Sequence, residues 1–375
     1  MDRRSFHKGL AAVAASAALP RAARAADYRG PNVILIRFGG GVRRAETVGD
    51  ASFAPFLRHH LIPRAAFVPD MRIAQLDGVE TSHAEGTLNL LTGRYLGYRR
   101  GGRFPDDWLE PVEPTLFDYL RGAFDIPAHQ VLMVNGEDRP QEEFLTAGPA
   151  GHAGLDLPAE MLSLHRFKLY RAARWAEEGH PQAQAELTRL AERDPRSGSV
   201  GPQSAQVAAF WARWRADHGD DGMRNPRGDR LLTALALRAM AELQPRFLMV
   251  NYQDPDYVHW GNPSHYTRAI AIIDDGLRQI AEAAERLEPY AGNTVLVVTP
   301  DCGRDANPLL GVPFQHHFNT DSARETWAVI AGPGVVRGRV VDRVVDQSAV
   351  APTIAALMGL RPHRAEGEAL ASILT

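Results

Sequence analysis

Asn293-Thr294-Val295-Leu296-Val297-Val298-Thr299-Pro300-Asp301-Cys302-Gly303-Arg304-Asp305 is the stretch on which the fold turns. Six apolar or β-branched residues, 294–299, run without a charged break, Pro300 ends them, and a short charged loop follows. Short continuous runs of this kind mark strands buried on both faces, because neither face needs a polar residue. Working outward, similar runs occur at 32–37, 66–74, 130–134, 246–251 and 326–331, and the first leads into Gly39-Gly40-Gly41. Helical stretches lie between them, most clearly at 266–287 and 347–358. Strand and helix in alternation predict an α/β fold, a three-layer sandwich with a mostly parallel central sheet and helices on both faces. Ligands of such sheets bind beyond the carboxyl ends of the strands, so the residues just after each strand are the candidates for chemistry.

Composition narrows the choices. A chain of 375 residues has room for one large α/β domain with an inserted lobe. Residues ~150–230, polar and rich in Arg, Glu and Trp, read as that helical insertion, partly covering the site. A formal charge of −3 with no basic block argues against a nucleic-acid partner. No apolar run reaches the roughly 18 residues of a membrane span, so none is expected.

Residues 1–25 read as an export leader. Arg3-Arg4-Ser5-Phe6-His7-Lys8 precedes a short Ala-rich run, and Ala23-Arg24-Ala25 offers a cleavage site before Ala26. The paired arginines resemble a twin-arginine signal. This implies the twin-arginine export machinery as a partner and a periplasmic or secreted location. Removing this net +4 takes the chain from −3 to −7, which again disfavours polyanions. Cys302 is the single cysteine, so no internal disulfide exists.

Three polar clusters follow strands. Asp254-Pro255-Asp256-Tyr257-Val258-His259 comes after 246–251, Asp301-Cys302-Gly303-Arg304 after 293–299, and Gln315-His316-His317 a little later. Carboxylates and imidazoles at strand ends of one sheet can converge on a cation, and this mixture suits zinc or manganese. Any one cluster is more often structural than functional; three in one presumed sheet are harder to explain that way. Tyr252, Tyr257 and Trp260 flank the first cluster and read as wall and core.

The order and wording of these segments resemble the alkaline phosphatase superfamily, which includes the sulfatases. Asn32-Val33-Ile34-Leu35-Ile36 resembles its first strand, and Thr81-Ser82-His83 with Leu90-Leu91-Thr92-Gly93-Arg94-Tyr95 its nucleophile segment and helix. Asp254-Pro255-Asp256 with His259, then Asp274, resembles the metal loop and the helix after it. Asp301-Cys302-Gly303-Arg304, His316-His317 and Ala351-Pro352-Thr353 resemble the closing motifs. The resemblance implies a hydrolase of phosphate or sulfate esters with two divalent ions, zinc first and manganese, calcium or magnesium as alternatives. One ion would take Asp256 or Asp254, His259, and His316 or His317. The second would take Asp301, Cys302 and a carboxylate closing the first strand. Thr81, Ser82 or His83 would be the catalytic group, Arg94 or Arg304 would hold the anionic oxygens, and a small anionic ester would be the substrate.

The chain also departs from the family pattern. Arg37-Phe38-Gly39-Gly40-Gly41 offers no carboxylate until Glu46, Cys302 stands where the family has His, and His83 falls where the nucleophile is expected. Asp256 and His259 are three apart rather than four. Two function classes therefore stay open: a hydrolase with a reorganised one-metal or two-metal site, or a catalytically impaired relative that binds a ligand or partner. A dinucleotide site at the three glycines is disfavoured, because Val42-Arg43-Arg44 follows where a third spaced Gly is needed.

Overall fold

The computed structural model describes residues 26–101, 108–136, 142–143, 145, 159–192, 203–223, 228–259, 262–306 and 315–375. Residues 1–25, read above as an export leader, lie outside them, as do parts of the 150–230 stretch.

The strands are β1 (Asn32–Arg37), β2 (Ala66–Arg72), β3 (Tyr98–Gly101), β4 (Trp108–Pro111), β5 (Val131–Val134), β6 (Glu160–Leu162), β7 (Phe247–Asn251), β8 (Thr294–Thr299), β9 (Glu325–Ala331) and β10 (Val345–Asp346). Eight form one sheet in the order β10-β2-β9-β8-β1-β7-β5-β6, while β3 and β4 pair in a separate hairpin. The block β8-β1-β7-β5-β6 is parallel throughout, and only β9 runs against its neighbours. This is the mostly parallel α/β sandwich expected. Four short strands escape the sequence reading: β3 and β4, and in the main sheet β6 and β10. β10 is only two residues long, and β6 lies inside the polar stretch read as helical.

Alternation along the strands splits the core in two. Ile34, Ile36, Leu248, Val250, Leu296 and Val298 face one layer with the helices Asp229–Glu242 and Pro263–Arg286. Val33, Leu35, Phe247, Met249, Val295 and Val297 face the other, with His83–Thr92, Leu116–Ala123 and Val350–Leu357. Each buried Val, Leu or Ile contributes roughly 1.5–3 kcal/mol, so the central strands and their register are strongly fixed.

That register positions the site. Arg37 lies level with Asn251 on one side and Thr299 on the other. The loops leaving β1, β7 and β8 therefore start side by side at the carboxyl edge of the sheet. The His83–Thr92 helix starts against the same edge. Ser82 caps it, its hydroxyl accepting the Glu85 N–H at 3.3 Å. At Gly86 this helix presses on the β8 loop, and an added Cβ would stand 2.2 Å from the Asp301 carbonyl oxygen. Only glycine permits that approach.

Candidate active site

Asp256 lies at the centre. It sits in a single 3-10 turn, Asp254–Tyr257, directly after β7. Asp229, at the start of a helix, holds this loop by accepting the N–H groups of Gln253 at 2.9 Å and Asp254 at 2.8 Å. The Asp256 Oδ1 atom is approached by three imidazole nitrogens: His83 Nε2 at 2.7 Å, His259 Nε2 at 2.8 Å and His316 Nε2 at 3.1 Å. The rings also crowd one another, with His83 and His316 centroids 4.2 Å apart and His316 and His317 4.0 Å apart.

The second nitrogen of each ring decides what the first can do. His316 Nδ1 lies 3.0 Å from the Thr81 carbonyl oxygen, which can only accept, so Nδ1 carries the proton. Burial, with His83 nearby, pushes the His316 pKa well below the ordinary histidine value. A neutral ring with a proton on Nδ1 turns a bare Nε2 lone pair toward the Asp256 carboxylate. Two lone pairs facing each other are unfavourable unless a cation lies between them. Metal-ligating histidines carry this kind of backbone partner on their other nitrogen.

His83 differs. Its Nδ1 meets Asp301 Oδ2 at 2.7 Å while Nε2 meets Asp256. Burial disfavours a charge on this ring, but Asp301 and then Cys302 outweigh it and raise its pKa. Burial alone would raise the Asp301 pKa too; His83 and Arg37 instead hold it well below the usual carboxylate range. The Cys302 thiol, 3.9 Å from His83 Nδ1, is fully buried, and that burial raises its pKa.

Arg304 underpins this arrangement. Its guanidinium donates to the carbonyls of Gly41 at 2.8 Å, Val258 at 2.7 Å and Pro255 at 2.9 Å, and also to that of Gly40. One buried cation thus ties the β1, β7 and β8 loops together. The positive φ at Gly40 and Gly41 turns the chain through this contact, which gives these two glycines a structural task.

No protein-family model matches this chain. A curated sulfatase from Formosa agariphila is 29% identical over 112 residues, 29% of this chain but only 21% of that protein's length. Among solved structures, a protein of the alkaline phosphatase superfamily from Vibrio parahaemolyticus aligns with a TM-score of 0.55 at 13% identity, covering 92% of this chain and 70% of that one. A 2-O GAG sulfatase aligns with a TM-score of 0.55 at 11% identity, covering 92% and 74%. The fold is that of the alkaline phosphatase superfamily.

On that superfamily frame, the residues singled out in the sequence fall into groups. Asp256, His259 and His316 converge, with His83, Asp301 and Cys302 alongside. His317 is exposed and stacks on His259, with centroids 5.6 Å apart. Among the described residues, two groups could hold a metal ion: His83, Cys302 and His316, and His259, His316 and His317. Asp254 turns the other way and accepts the Asp229 N–H at 3.1 Å. The Thr81 hydroxyl donates to the His316 carbonyl. Arg304 meets backbone oxygens only among these hydrogen bonds. Arg94 lies past the far end of the helix, bonded to Glu366 at 3.0 Å. Tyr252 is wholly buried, as expected of core, whereas Tyr257 is exposed.

The donor set suits one ion. Two imidazoles and a carboxylate form a hard-to-borderline trio, with one tautomer already fixed. The residues expected around a second ion do not suit one: both Asp301 oxygens are engaged, and an arginine closes β1. Sequence reading noted that Arg37 is no carboxylate but missed its partners Glu142 and Thr87. Glu142 belongs to no motif in the sequence, and nothing local marks it.

Proposed function

We propose that this chain hydrolyses phosphate or sulfate esters, using one divalent cation, zinc by its ligand chemistry, held by Asp256, His259 and His316. The observation that carries the reading is the approach of three Nε2 atoms to one carboxylate oxygen, 2.7–3.1 Å away, with the His316 lone pair turned inward. The named sulfatases among its relatives support an ester substrate.

The cation, when bound, would supply Lewis-acid stabilisation of charge developing on an ester oxygen. The other tasks fall to the chain. His83 begins a helix, where unpaired N–H groups and the helix dipole favour an anion. Asp301 orients its ring and holds the Nε2 edge on Asp256, at the border of the proposed ion site. Ser82, half-buried, uses its oxygen to cap the helix but keeps its proton, so it is the better placed of the two hydroxyls to act. Thr81, whose proton is already given to the His316 carbonyl, positions a ligand instead.

The test uses the full chain with 4-nitrophenyl sulfate, 4-nitrophenyl phosphate and bis(4-nitrophenyl) phosphate. Turnover of at least one should vanish on chelation, return with zinc, and be lost in His259→Ala. Hydrolysis that survives chelation would sink the metal reading. A second reading, ester binding without turnover, is favoured by one fact: the Thr81 hydroxyl and the Asp301 carboxylate are both tied into internal bonds. Zinc-dependent binding of the esters with no product would select it.

Action outside the cytoplasm belongs to the same proposal. A reporter carrying residues 1–25 should be exported, and export should cease when Arg3 and Arg4 become Lys. Export unaffected by that change would remove the twin-arginine route.

A further inference from the structure

We infer that Arg37 permanently occupies the position of a second cation, so that the site takes one metal ion and excludes another. The inference rests on the proposed single-ion site and adds a count to it.

Arg37 ends β1, at the centre of the sheet edge, and is fully buried. Its Nη1 lies 3.2 Å from Glu142 Oε2 and 3.4 Å from Asp301 Oδ2. The same nitrogen donates to Thr87 Oγ1 at 2.6 Å, and Nη2 donates to the Tyr252 carbonyl at 3.3 Å. Two buried carboxylates thus share one guanidinium, the arrangement in which a bridging metal ion would otherwise be found. Glu142 is held in place as well, accepting the Asn251 Nδ2–H at 2.5 Å.

Both oxygens of Asp301 are engaged. Its Oδ1 accepts the Cys302 N–H at 2.9 Å, and its Oδ2 is shared between His83 and Arg37. A second divalent ion would have to displace one of these partners and then lie against a guanidinium. Arginine stays charged across the accessible pH range and has no lone pair to offer a metal. Its charge can be neither chelated nor exchanged. The guanidinium thus lies against Glu142 and Asp301, whereas the Asp256 carboxylate, at the other end of this edge, is faced by imidazole nitrogens.

The experiment is a metal count on the full chain, saturated with zinc, desalted and measured by elemental analysis, with circular dichroism as the folding control. The wild-type chain and Arg37→Lys should each hold one ion. Arg37→Asp, which supplies a carboxylate and removes the cation, should hold two. Two ions on the wild-type chain, two on Arg37→Lys, or one on a folded Arg37→Asp would overturn the inference. If Arg37→Asp does not fold, the other two counts decide. A wild-type chain without zinc would overturn the single-ion reading of Asp256, His259 and His316. Arg37's part would survive that result if Arg37→Asp gained an ion, and would fall if no variant bound any.

Discussion

The two halves of the site share a sheet edge and solve the same electrostatic problem differently. Around Asp256, a carboxylate faces imidazoles of which at least one, His316, points a lone pair inward. Around Asp301, a carboxylate faces donors only: a backbone N–H, an imidazole and a guanidinium. The first half gives its carboxylate imidazoles, and the second adds a fixed guanidinium. Identical residue types in a sequence can therefore mean opposite things. An Asp after a buried strand is a potential ligand only when its neighbours leave it a lone pair. A buried carboxylate without any counter-charge is too costly to persist, so each half must find a cation, either from solution or from the chain.

The sharpest way to break the comparison is His316→Ala. If the Asp256 half depends on an external ion, losing a ligand whose tautomer is already set should weaken zinc binding by at least about a hundredfold, judging by the 10–100-fold typical of mere supporting residues. Competition against a chromophoric chelator would measure it. An affinity unchanged within threefold would mean that His316 is a core histidine and that the two halves do not differ.

Arg37→Met probes the other half. The substitution keeps much of the side chain's volume and leaves Glu142 and Asp301 buried beside each other. Removing one partner of a buried ion pair costs about 3–5 kcal/mol, a large part of a typical domain's stability. Urea unfolding should show that loss even with zinc in excess. A loss under about 1 kcal/mol would mean that solvent or a proton neutralises the pair readily.

The pH dependence of the chelated chain sharpens the contrast further. Asp301 has its pKa depressed in the fold, so its contribution is present above the unfolded value of about 3.9 and is lost as pH falls through the lower folded value. His83 has its pKa raised, so its contribution is complete below about 6.5 and is lost as pH rises through the higher folded value. The pair should therefore stabilise the chelated chain most between about pH 4 and 6.5. In His83→Gln the alkaline decline should flatten. An alkaline limb of equal slope in that variant would assign it to another group.

How much of this was legible beforehand follows from range. The strands 32–37 and 293–299 could be read because their residues are buried on both faces and state it locally. Asp256, His259 and Asp301 could be marked because a strand end precedes each. Choosing Asp256 over Asp254 required the Asp229 helix, 25 residues earlier, which draws Asp254 away. Glu142 is unreadable for the same reason: its partner Arg37 lies 105 residues away, and no spacing rule connects them. β6 was hidden because a three-residue strand at the sheet edge, Glu160–Leu162, leaves too little pattern to separate from its helical surroundings. Arg304 read as an anion holder since a guanidinium fits esters, but its hydrogen bonds go to carbonyl oxygens of the two loops after β1 and β7.

Arg94 is the smallest test and the one that bears most on how motifs are read. It follows the C-terminal cap of a helix whose first residue is His83. Ten residues at 1.5 Å each put about 15 Å between the two ends, so the helix that brings His83 to Asp256 carries Arg94 away from it. The C-terminus attracts cations, and Arg94 also finds Glu366 at 3.0 Å and Glu113 at 3.8 Å there. Such half-exposed pairs contribute roughly 0.2–1 kcal/mol. Arg94→Ala should therefore lower stability by no more than about 1 kcal/mol and leave both zinc affinity and the KM for any ester substrate unchanged. A KM raised tenfold with kcat unaffected would show that the substrate reaches past the helix to Glu366. Binding would then extend well beyond the two carboxylate halves, and the contrast between them would describe only its inner end.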